Sequence, residues 1–294
     1  MKFKPIELKD KQLFDSVVRP AEHECSESSF ANLYIWRHFW KIQMCDDGDA
    51  LYFLLKFRRR DLAFAPVPRP GGSLCEAVCK LEKYVRQRGM NVTLHCCEDQ
   101  RRQLEKECPG RFDFSENRAN FEYIYEGEAL RTLAGRKFHS KRNHIANFTS
   151  FYDYEYVRLT NDDAAECLAL YDRWIRERDP ERLNTIDTER LSVEDAFKNM
   201  DELGLIAAGI RVNSCIEAFT MGERKRKDMA LIHIEKANPN MRGLYPLINY
   251  EFLNNEFPDV EFVNREEDMG IDGLRKAKMS YYPVRFVKKY RTKL

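Results

Sequence analysis

The sequence lacks the features that define several large classes of protein. Its 294 residues contain no apolar run approaching the roughly 18–20 residues of a membrane span. The N-terminal stretch MKFKPIELKDKQ has no apolar core of the kind that secretion signals carry. Neither sign of charge dominates, because 49 Lys and Arg face 48 Asp and Glu, so a nucleic-acid or lipid partner would need a local patch. We therefore expect a cytoplasmic protein with no integral membrane segment and no DNA partner.

The nine cysteines also lack the spacing of a structural framework. They form no C-x-x-C pair and are odd in number, which favours reduced thiols over a zinc or disulfide scaffold. Cys75 and Cys79 lie one helical turn apart, but without a second Cys or His pair we interpret them as small buried apolar residues. The sequence therefore predicts no metal site.

What the chain does contain is enough apolar surface for two domains, at 43% hydrophobic and 12% aromatic residues. In the second half, period-2 and period-3.6 patterns alternate in a regular way. They predict a strand at 154–160, helices at 162–178 and 193–202, strands at 205–212, 215–222 and 229–236, a helix at 243–255, a strand at 260–264, a helix at 271–279 and a last strand at 284–290. The charged segment Glu223–Asp228 is predicted to be a hairpin turn.

The first half repeats this order without detectable residue identity. The predicted elements are a strand at 3–8, helices at 11–18 and 29–39, strands at 41–45, 51–58 and 62–67, a helix at 74–88, a strand at 91–96, a helix at 99–107 and a strand at 121–125. Ten elements in the same order predict an internal duplication. Each half would form a mixed β-sheet flanked by helices, an α/β (α+β) arrangement similar to the GNAT acyltransferase fold. We expect an N-terminal unit at 1–127, a basic connector helix at 128–150 and a C-terminal unit at 151–294.

The connector, LRTLAGRKFHSKRNHIANF, concentrates positive charge in an otherwise neutral chain. Lys137, Lys141 and His144 fall at i, i+4 and i+7 and would share one helix face, with Arg142 beside them. Two interpretations stay open: a solvated helix docked between two domains, or a basic patch for a phosphate-bearing donor or nucleic-acid backbone.

A second stretch, IHIEKANPNMRGLYPLINYEF at 232–252, carries a strand into the start of a helix near Gly243. In a GNAT unit this junction offers backbone N–H groups to the pyrophosphate of an acyl-CoA. Here Tyr245 stands where a small residue normally lets the phosphate approach, although Arg242 could pair with a phosphate. Crowding by Tyr245 therefore argues against ordinary CoA binding.

The third stretch, NREEDMGIDGLRKAKMSYYPV at 264–284, places acids directly after a predicted strand. Three consecutive acids are ordinarily a solvated turn. The end of this strand, however, faces the crevice where a mixed α/β sheet binds its ligand. A carboxylate held there could deprotonate an amine acceptor, and Tyr281 or Tyr282 could return a proton to the leaving group. Both interpretations stay open on the residues alone.

These three segments, with SSFANLYIWRH near residue 28, resemble the phosphatidylglycerol lysyltransferase C-terminal-like family, formerly the DUF2156 group. The resemblance covers nearly the full chain and is most specific in the third segment. The family is similar to Fem-type and lysyl-phosphatidylglycerol synthase enzymes, which pair two GNAT-like units and move an aminoacyl group from charged tRNA. The resemblance therefore implies an acyltransferase or aminoacyltransferase.

On this interpretation the donor is aminoacyl-tRNA, which needs no further cofactor because its ester is already activated. The acceptor would be a small-molecule, peptide or lipid amine or hydroxyl. The expected catalytic residues are Glu235 or Glu266 as the base, Asn264 orienting the acceptor, Lys278 facing the oxyanion, and Tyr281. The expected donor-binding residues are Lys137, Lys141, Arg142, Lys236, Arg242, Gly243 and Arg275. Two alternatives stay open: a CoA-dependent N-acyltransferase, and a non-catalytic binding module on a duplicated scaffold.

Overall fold

The computed structural model describes residues 1–178 and 188–294. Within these residues the strands are β1 (Lys4–Pro5), β2 (Gln43–Asp46), β3 (Ala50–Phe57), β4 (Arg60–Pro68), β5 (Val92–Cys97), β6 (Ser115–Glu116), β7 (Glu122–Glu126), β8 (Tyr154–Leu159), β9 (Ile206–Val212), β10 (Cys215–Arg226), β11 (Met229–Ala237), β12 (Phe262–Glu267), β13 (Arg285–Val287) and β14 (Lys289–Lys293). The helices are α1 (Lys11–Val18), α2 (Phe30–Ile35), α3 (Arg37–Trp40), α4 (Leu74–Arg86), α5 (Glu98–Glu107), α6 (Gly127–Thr132), α7 (His139–Phe151), α8 (Ala164–Arg178), α9 (Thr188–Lys198), α10 (Met200–Leu203), α11 (Leu244–Glu256) and α12 (Asp272–Met279).

The chain forms two compact units, each around a mixed sheet. One comprises residues 1–122, 267–271 and 286–294, and the other residues 123–266 and 272–285. The first sheet has the order β1-β2-β3-β4-β5-β14-β6, with β4 and β5 parallel between Asp61–Phe64 and Val92–His95. The second has the order β13-β7-β12-β11-β10-β9-β8, with β11 and β12 parallel. The predicted duplicated α/β class is therefore confirmed.

Two strands lie in the sheet opposite to the one that the element order predicted. Strand β7, expected to close the N-terminal sheet, is part of the second sheet, beside β12. The expected final strand at 284–290 is instead two strands, and β14 lies between β5 and β6 in the first sheet. The predicted ranges 1–127 and 151–294 did not include this exchange. Local patterns locate strands, but the pairing of distant strands depends on contacts that they do not encode.

The connector also differs from the single helix that was predicted. Helix α6 ends at Leu133, which takes the left-handed conformation, and Gly135 follows at a φ of 86°. A single 3-10 turn at Arg136–Phe138 then leads into α7. Lys137 therefore lies in the 3-10 turn and not on a helix face shared with Lys141 and His144. The expected hairpin turn at Glu223–Asp228 is shorter, because Glu223 belongs to β10.

The expectation that all thiols are reduced is wrong for one pair. Cys75, near the start of α4, and Cys108, directly after α5, form a disulfide. The remaining seven cysteines are free, and six of them are buried or half-buried. The cysteine spacing does not indicate this pairing, because helix packing brings the two positions together.

The core of the second unit fixes the elements that surround the end of β11. Ile210 and Ala218, on β9 and β10, pack with Leu244, Leu247 and Ile248 of α11. Phe148 of α7 completes this cluster and is 1% exposed. Helices α7 and α11 are thereby held against the sheet next to the strand ends described below.

Candidate active site

Strands β11 and β12 part soon after they pair. Their parallel register runs from Met229–Leu231 against Phe262–Asn264 and goes no further. Beyond that point both strands carry polar side chains that are largely buried, His233 and Glu235 on β11 and Arg265 and Glu266 on β12. A gap between two parallel strands, lined by ionisable groups, is the position where a mixed α/β sheet binds its ligand.

His233 enters this gap as the extra residue of a β-bulge. Met221 pairs with Ile234 and Gly222 with Ile232, so His233 has no counterpart on β10. Gly222 permits the bulge because a Cβ there would lie 2.6 Å from the carbonyl oxygen of Leu231. Bulges re-aim a side chain and are frequent next to active sites.

The re-aimed imidazole lies between two carboxylates. Nδ1 of His233 is 2.8 Å from Oε1 of Glu266, and Nε2 is 3.2 Å from Oε1 of Glu223. Burial alone would lower the pKa of His233, but the hydrogen bonds to Glu223 and Glu266 outweigh it and raise the pKa to about 9. The ring is therefore an imidazolium at neutral pH, and it donates one N–H to Glu266 and the other to Glu223.

A local distortion brings Glu266 to this position. Its φ is 53°, in the left-handed region that a non-glycine residue rarely adopts. The side-chain oxygen of Asn264, a fully buried residue, accepts a hydrogen bond from the backbone N–H of Glu266 at 2.8 Å. A regular strand would send residues 265 and 266 to opposite faces. Here Arg265 contacts Glu235 and Glu266 contacts His233, and these two partners lie two positions apart on β11. The turn that Asn264 stabilises interrupts the regular alternation of side chains at this point.

The second contact across the gap is an ion pair. Nη2 of Arg265 donates to Oε1 of Glu235 at 2.9 Å, and Nδ2 of Asn249 on α11 is 3.4 Å from Oε2. The side chains of Arg265 and Glu235 are only 11% and 14% exposed. Nη1 of Arg265 is buried and has no hydrogen-bond partner among the described residues.

An aromatic surface lies beside Arg265. The guanidinium carbon is 4.9 Å from the ring centroid of Tyr281, and the ammonium of Lys141 is 3.9 Å from the same centroid. Burial raises the pKa of Tyr281 to about 12, against the opposing effect of Arg265, so its hydroxyl is neutral. Lys278 donates from Nζ to the backbone oxygen of Arg265. Of the predicted residues, Glu235, Glu266, Asn264, Lys278, Tyr281 and Lys141 are thus brought together.

Lys236 is separated from them. Its ammonium donates to Oε1 of Glu189 on α9 at 2.7 Å and lies 4.1 Å from the ring of Trp174 on α8. Glu235, by contrast, contacts α11 and β12. Neighbouring residues of a strand point to opposite faces, so Lys236 does not share the surroundings of Glu235.

The loop before α11 is packed against the protein itself. Gly243 has a φ of 102°, and a Cβ there would overlap the carbonyl oxygen of His144 on α7. Nε of Arg242 donates to Nδ1 of His144 at 3.1 Å. Tyr245 accepts a hydrogen bond from Nε1 of Trp174 at 2.9 Å. Helix α7 and these side chains therefore occupy the surroundings of the helix start that would receive a pyrophosphate.

Carboxylates border the same loop. Nδ2 of Asn240 donates to Glu177 at 3.0 Å, and Nδ2 of Asn238 donates to Glu217 at 2.8 Å. The backbone N–H of Asn240 is already bonded to the side chain of Asn238. Glu217 is also paired with Arg173 at 3.1 Å, so the loop's side chains and the backbone N–H of Asn240 are already bonded within the protein and leave little to bind a phosphate.

The remaining predicted cations are dispersed. Arg142 donates to the backbone oxygens of Leu133 and Gly135, where it closes the end of α6. Lys137 is exposed, 5.6 Å from the ring of Tyr282. Arg275 lies half-buried on α12. Their roles in donor binding stay predictions.

The sequence prediction missed His233, Glu223 and Arg265 as site residues. His233 and Arg265 lie within the second and third stretches, and Glu223 lies in the predicted hairpin turn. Their position in the site, however, results from the bulge and from the parting of the strands. The available signal was Gly222, a glycine inside a strand pattern, which is a known mark of a bulge.

The fold and this gap define the class: a pair of GNAT-type units with the acyltransferase architecture. A tandem GNAT protein from the clavulanic acid biosynthesis pathway has this arrangement, with a TM-score of 0.53 at 12% identity, covering 99% of this chain and 98% of that one. The chain belongs to the phosphatidylglycerol lysyltransferase C-terminal family, whose model matches residues 18–293. No helix in the described part of the chain combines the length and apolar character needed to cross a membrane.

The chain is also similar to individual proteins. A conserved protein of unknown function from Bacteroides thetaiotaomicron is 36% identical, with a TM-score of 0.91, covering 100% of this chain and 99% of that one. The C-terminal domain of a putative lysylphosphatidylglycerol synthetase from Agrobacterium fabrum has a TM-score of 0.65 at 13% identity, covering 97% of this chain and 90% of that one. An uncharacterized protein of Mycoplasmoides gallisepticum is 23% identical over 181 residues, 58% of this chain and only 56% of that relative.

Proposed function

We propose that this protein transfers an aminoacyl group from an aminoacyl-tRNA to an amine or hydroxyl acceptor at the gap between β11 and β12. The observation that carries the proposal is the Glu223–His233–Glu266 cluster at the parting of the strands. The family to which the chain belongs and the GNAT-type architecture of its two units support acyl transfer as the class of reaction.

The chemistry needed is modest, because the ester of the donor is already activated. An acceptor amine must lose a proton, its nitrogen must attack the ester carbonyl, and the tetrahedral oxyanion must collapse with release of the tRNA hydroxyl. Glu266 receives the acceptor proton and then gives it to the departing ribose oxygen of the tRNA, and its hydrogen bond to His233 orients the carboxylate. No other cofactor takes part in this scheme.

The surroundings of the α11 start favour this donor over acyl-CoA. A CoA pyrophosphate needs free backbone N–H groups and positive charge at that helix end. Here Gly243 lies against His144, Tyr245 is bonded to Trp174, and Glu177 and Glu217 border the loop. The CoA-dependent alternative would require α7 to move.

The decisive experiment follows donor consumption by the purified chain. We would incubate it with a set of labelled aminoacyl-tRNAs, and separately with labelled acetyl-CoA, in the presence of amine, peptide and phosphatidylglycerol-vesicle acceptors. We expect the aminoacyl ester to be lost faster with the protein than without it, and a labelled product to form. Turnover of acetyl-CoA alone would contradict the donor, and inertness toward both would favour a binding module.

A further inference from the structure

The buried guanidinium of Arg265 satisfies only part of its hydrogen-bonding capacity. Nη2 donates to Glu235, whereas Nη1 is buried without a partner among the side chains that the structure describes. An arginine cannot avoid this by losing its proton, and a buried charged donor left unbonded is strongly unfavourable. Nη1 therefore marks a position where an acceptor from outside the chain would be stabilised.

Lys141 supplies a second cation at the same place. Its Nζ donates to the hydroxyl oxygen of Ser280 at 2.7 Å, and within residues 1–178 and 188–294 it has no carboxylate partner. Burial, together with the positive charge of Arg265, lowers its pKa to about 8, although Glu235 acts in the opposite sense. The positive charges of Lys141 and Arg265 therefore repel one another, and this repulsion contributes to the lowered pKa of Lys141.

The ring of Tyr281 holds both cations but does not neutralise them. A cation–π contact orients a charge over an aromatic face, and it offers no acceptor in the plane of a guanidinium. The described carboxylate at this position is Glu235, which is already bonded to Arg265 and 3.4 Å from Asn249. Around the ring of Tyr281 two cations therefore face one carboxylate, and Lys278 adds a further cation at the backbone oxygen of Arg265.

We propose that Arg265 and Lys141 form a subsite for a singly charged oxyanion of the substrate, a carboxylate or a phosphodiester. One oxygen would accept from Nη1 of Arg265 and another from Nζ of Lys141, which gives two charge-assisted hydrogen bonds from separate side chains. A dianion is disfavoured since Glu235 stands beside the subsite. This subsite rests on the proposed function. It adds that the donor or the acceptor carries a singly charged oxyanion that binds there.

Binding is measured without any transfer reaction, so the two proposals fail separately. The protein, carrying 13C at the lysine ε-carbons, would be titrated with acetate, dimethyl phosphate or inorganic phosphate at constant ionic strength, and with acetamide as the neutral control. We expect saturable shifts of the Lys141 resonance and a rise in its titration midpoint with acetate or dimethyl phosphate. The monoanion that binds more tightly identifies the source, and acetamide should do nothing.

Three variants make the assignment specific. Lys141→Met and Arg265→Lys should each weaken oxyanion binding by about tenfold or more, since each removes one charge-assisted hydrogen bond. Arg265→Lys keeps the ion pair with Glu235 and so preserves the fold, which urea unfolding would verify. Lys227→Met, at an exposed lysine in the turn between β10 and β11, should leave binding unchanged.

Two results would overturn the subsite. One is the absence of saturable shifts with either monoanion, or equal affinities of Lys141→Met and Lys227→Met for the monoanion measured by calorimetry, which does not need the Lys141 resonance. The other is a preference for inorganic phosphate over both monoanions, which would contradict the charge balance around Glu235.

Discussion

Oε1 of Glu266 lies 2.8 Å from Nδ1 of His233, and this contact joins two strands that no longer share backbone hydrogen bonds. The two residues are 33 positions apart in the chain. Their pairing exists because a bulge re-aims His233 and a left-handed residue re-aims Glu266.

Replacing Glu266 with Gln should abolish most transfer activity. The amide keeps the shape of the side chain but cannot accept the acceptor proton, so we expect a loss of at least about a hundredfold in single-turnover rate, a typical contribution of general base catalysis. Glu155→Gln, an exposed carboxylate on β8 at the far edge of the sheet, is the matched control. Equal rates in the two variants would remove Glu266 from the proposed mechanism.

The stability of the protein should fall as pH rises through the range set by His233. Its folded-state pKa of about 9 lies above the ordinary value of 6.5, so the folded form binds the proton more tightly than the unfolded form. The resulting stabilisation is fully present below pH 6.5 and is lost as pH approaches 9, and it amounts to at most about 3 kcal/mol. Urea unfolding between pH 6 and 10 measures it. His233→Gln should flatten this part of the profile, and an unchanged slope would contradict the raised pKa.

Substitution of two glycines should have opposite effects. Gly243→Ala introduces a Cβ into the carbonyl oxygen of His144 at a φ of 102°, and should destabilise the second unit by roughly 1–3 kcal/mol or more. Gly273→Ala lies within α12 with no atom within 4 Å of the new Cβ, and should stabilise by up to about 1 kcal/mol. Urea midpoints of both variants test this. Tolerance of Gly243→Ala would mean that α7 does not press on the α11 start.

Thiol counting tests the disulfide. With nine cysteines in the chain and Cys75 bonded to Cys108, alkylation of the denatured protein purified without reductant should add seven groups, and nine after reduction. Cys108→Ser should lower the free energy of unfolding of the non-reduced protein by about 3–4 kcal/mol, because the bond closes a loop of 33 residues. Nine alkylations before reduction would show that the thiols are free.

Much of the fold, and part of the candidate site, followed from the sequence alone. Periodicity predicted the α/β class and the strand order along the chain, because each strand shows its own alternation of apolar side chains. Glu235 and Glu266 were expected near the ends of neighbouring strands, and the structure places them there, although their catalytic roles stay predictions. The bulge at His233, the unpartnered Nη1 of Arg265 and the Cys75–Cys108 bond depend on register and helix packing, which no local pattern encodes.

The location of β14 has a consequence for synthesis on the ribosome. This strand lies between β5 and β6, and the chain reaches it only after every element of the second unit has been made. Until then β5 presents unpaired backbone N–H and C=O groups along one edge, a surface prone to pairing with other chains. We therefore expect the N-terminal sheet to stay incomplete throughout translation and to need protection by chaperones. The sheet is completed only when residues 289–293 have emerged from the ribosome.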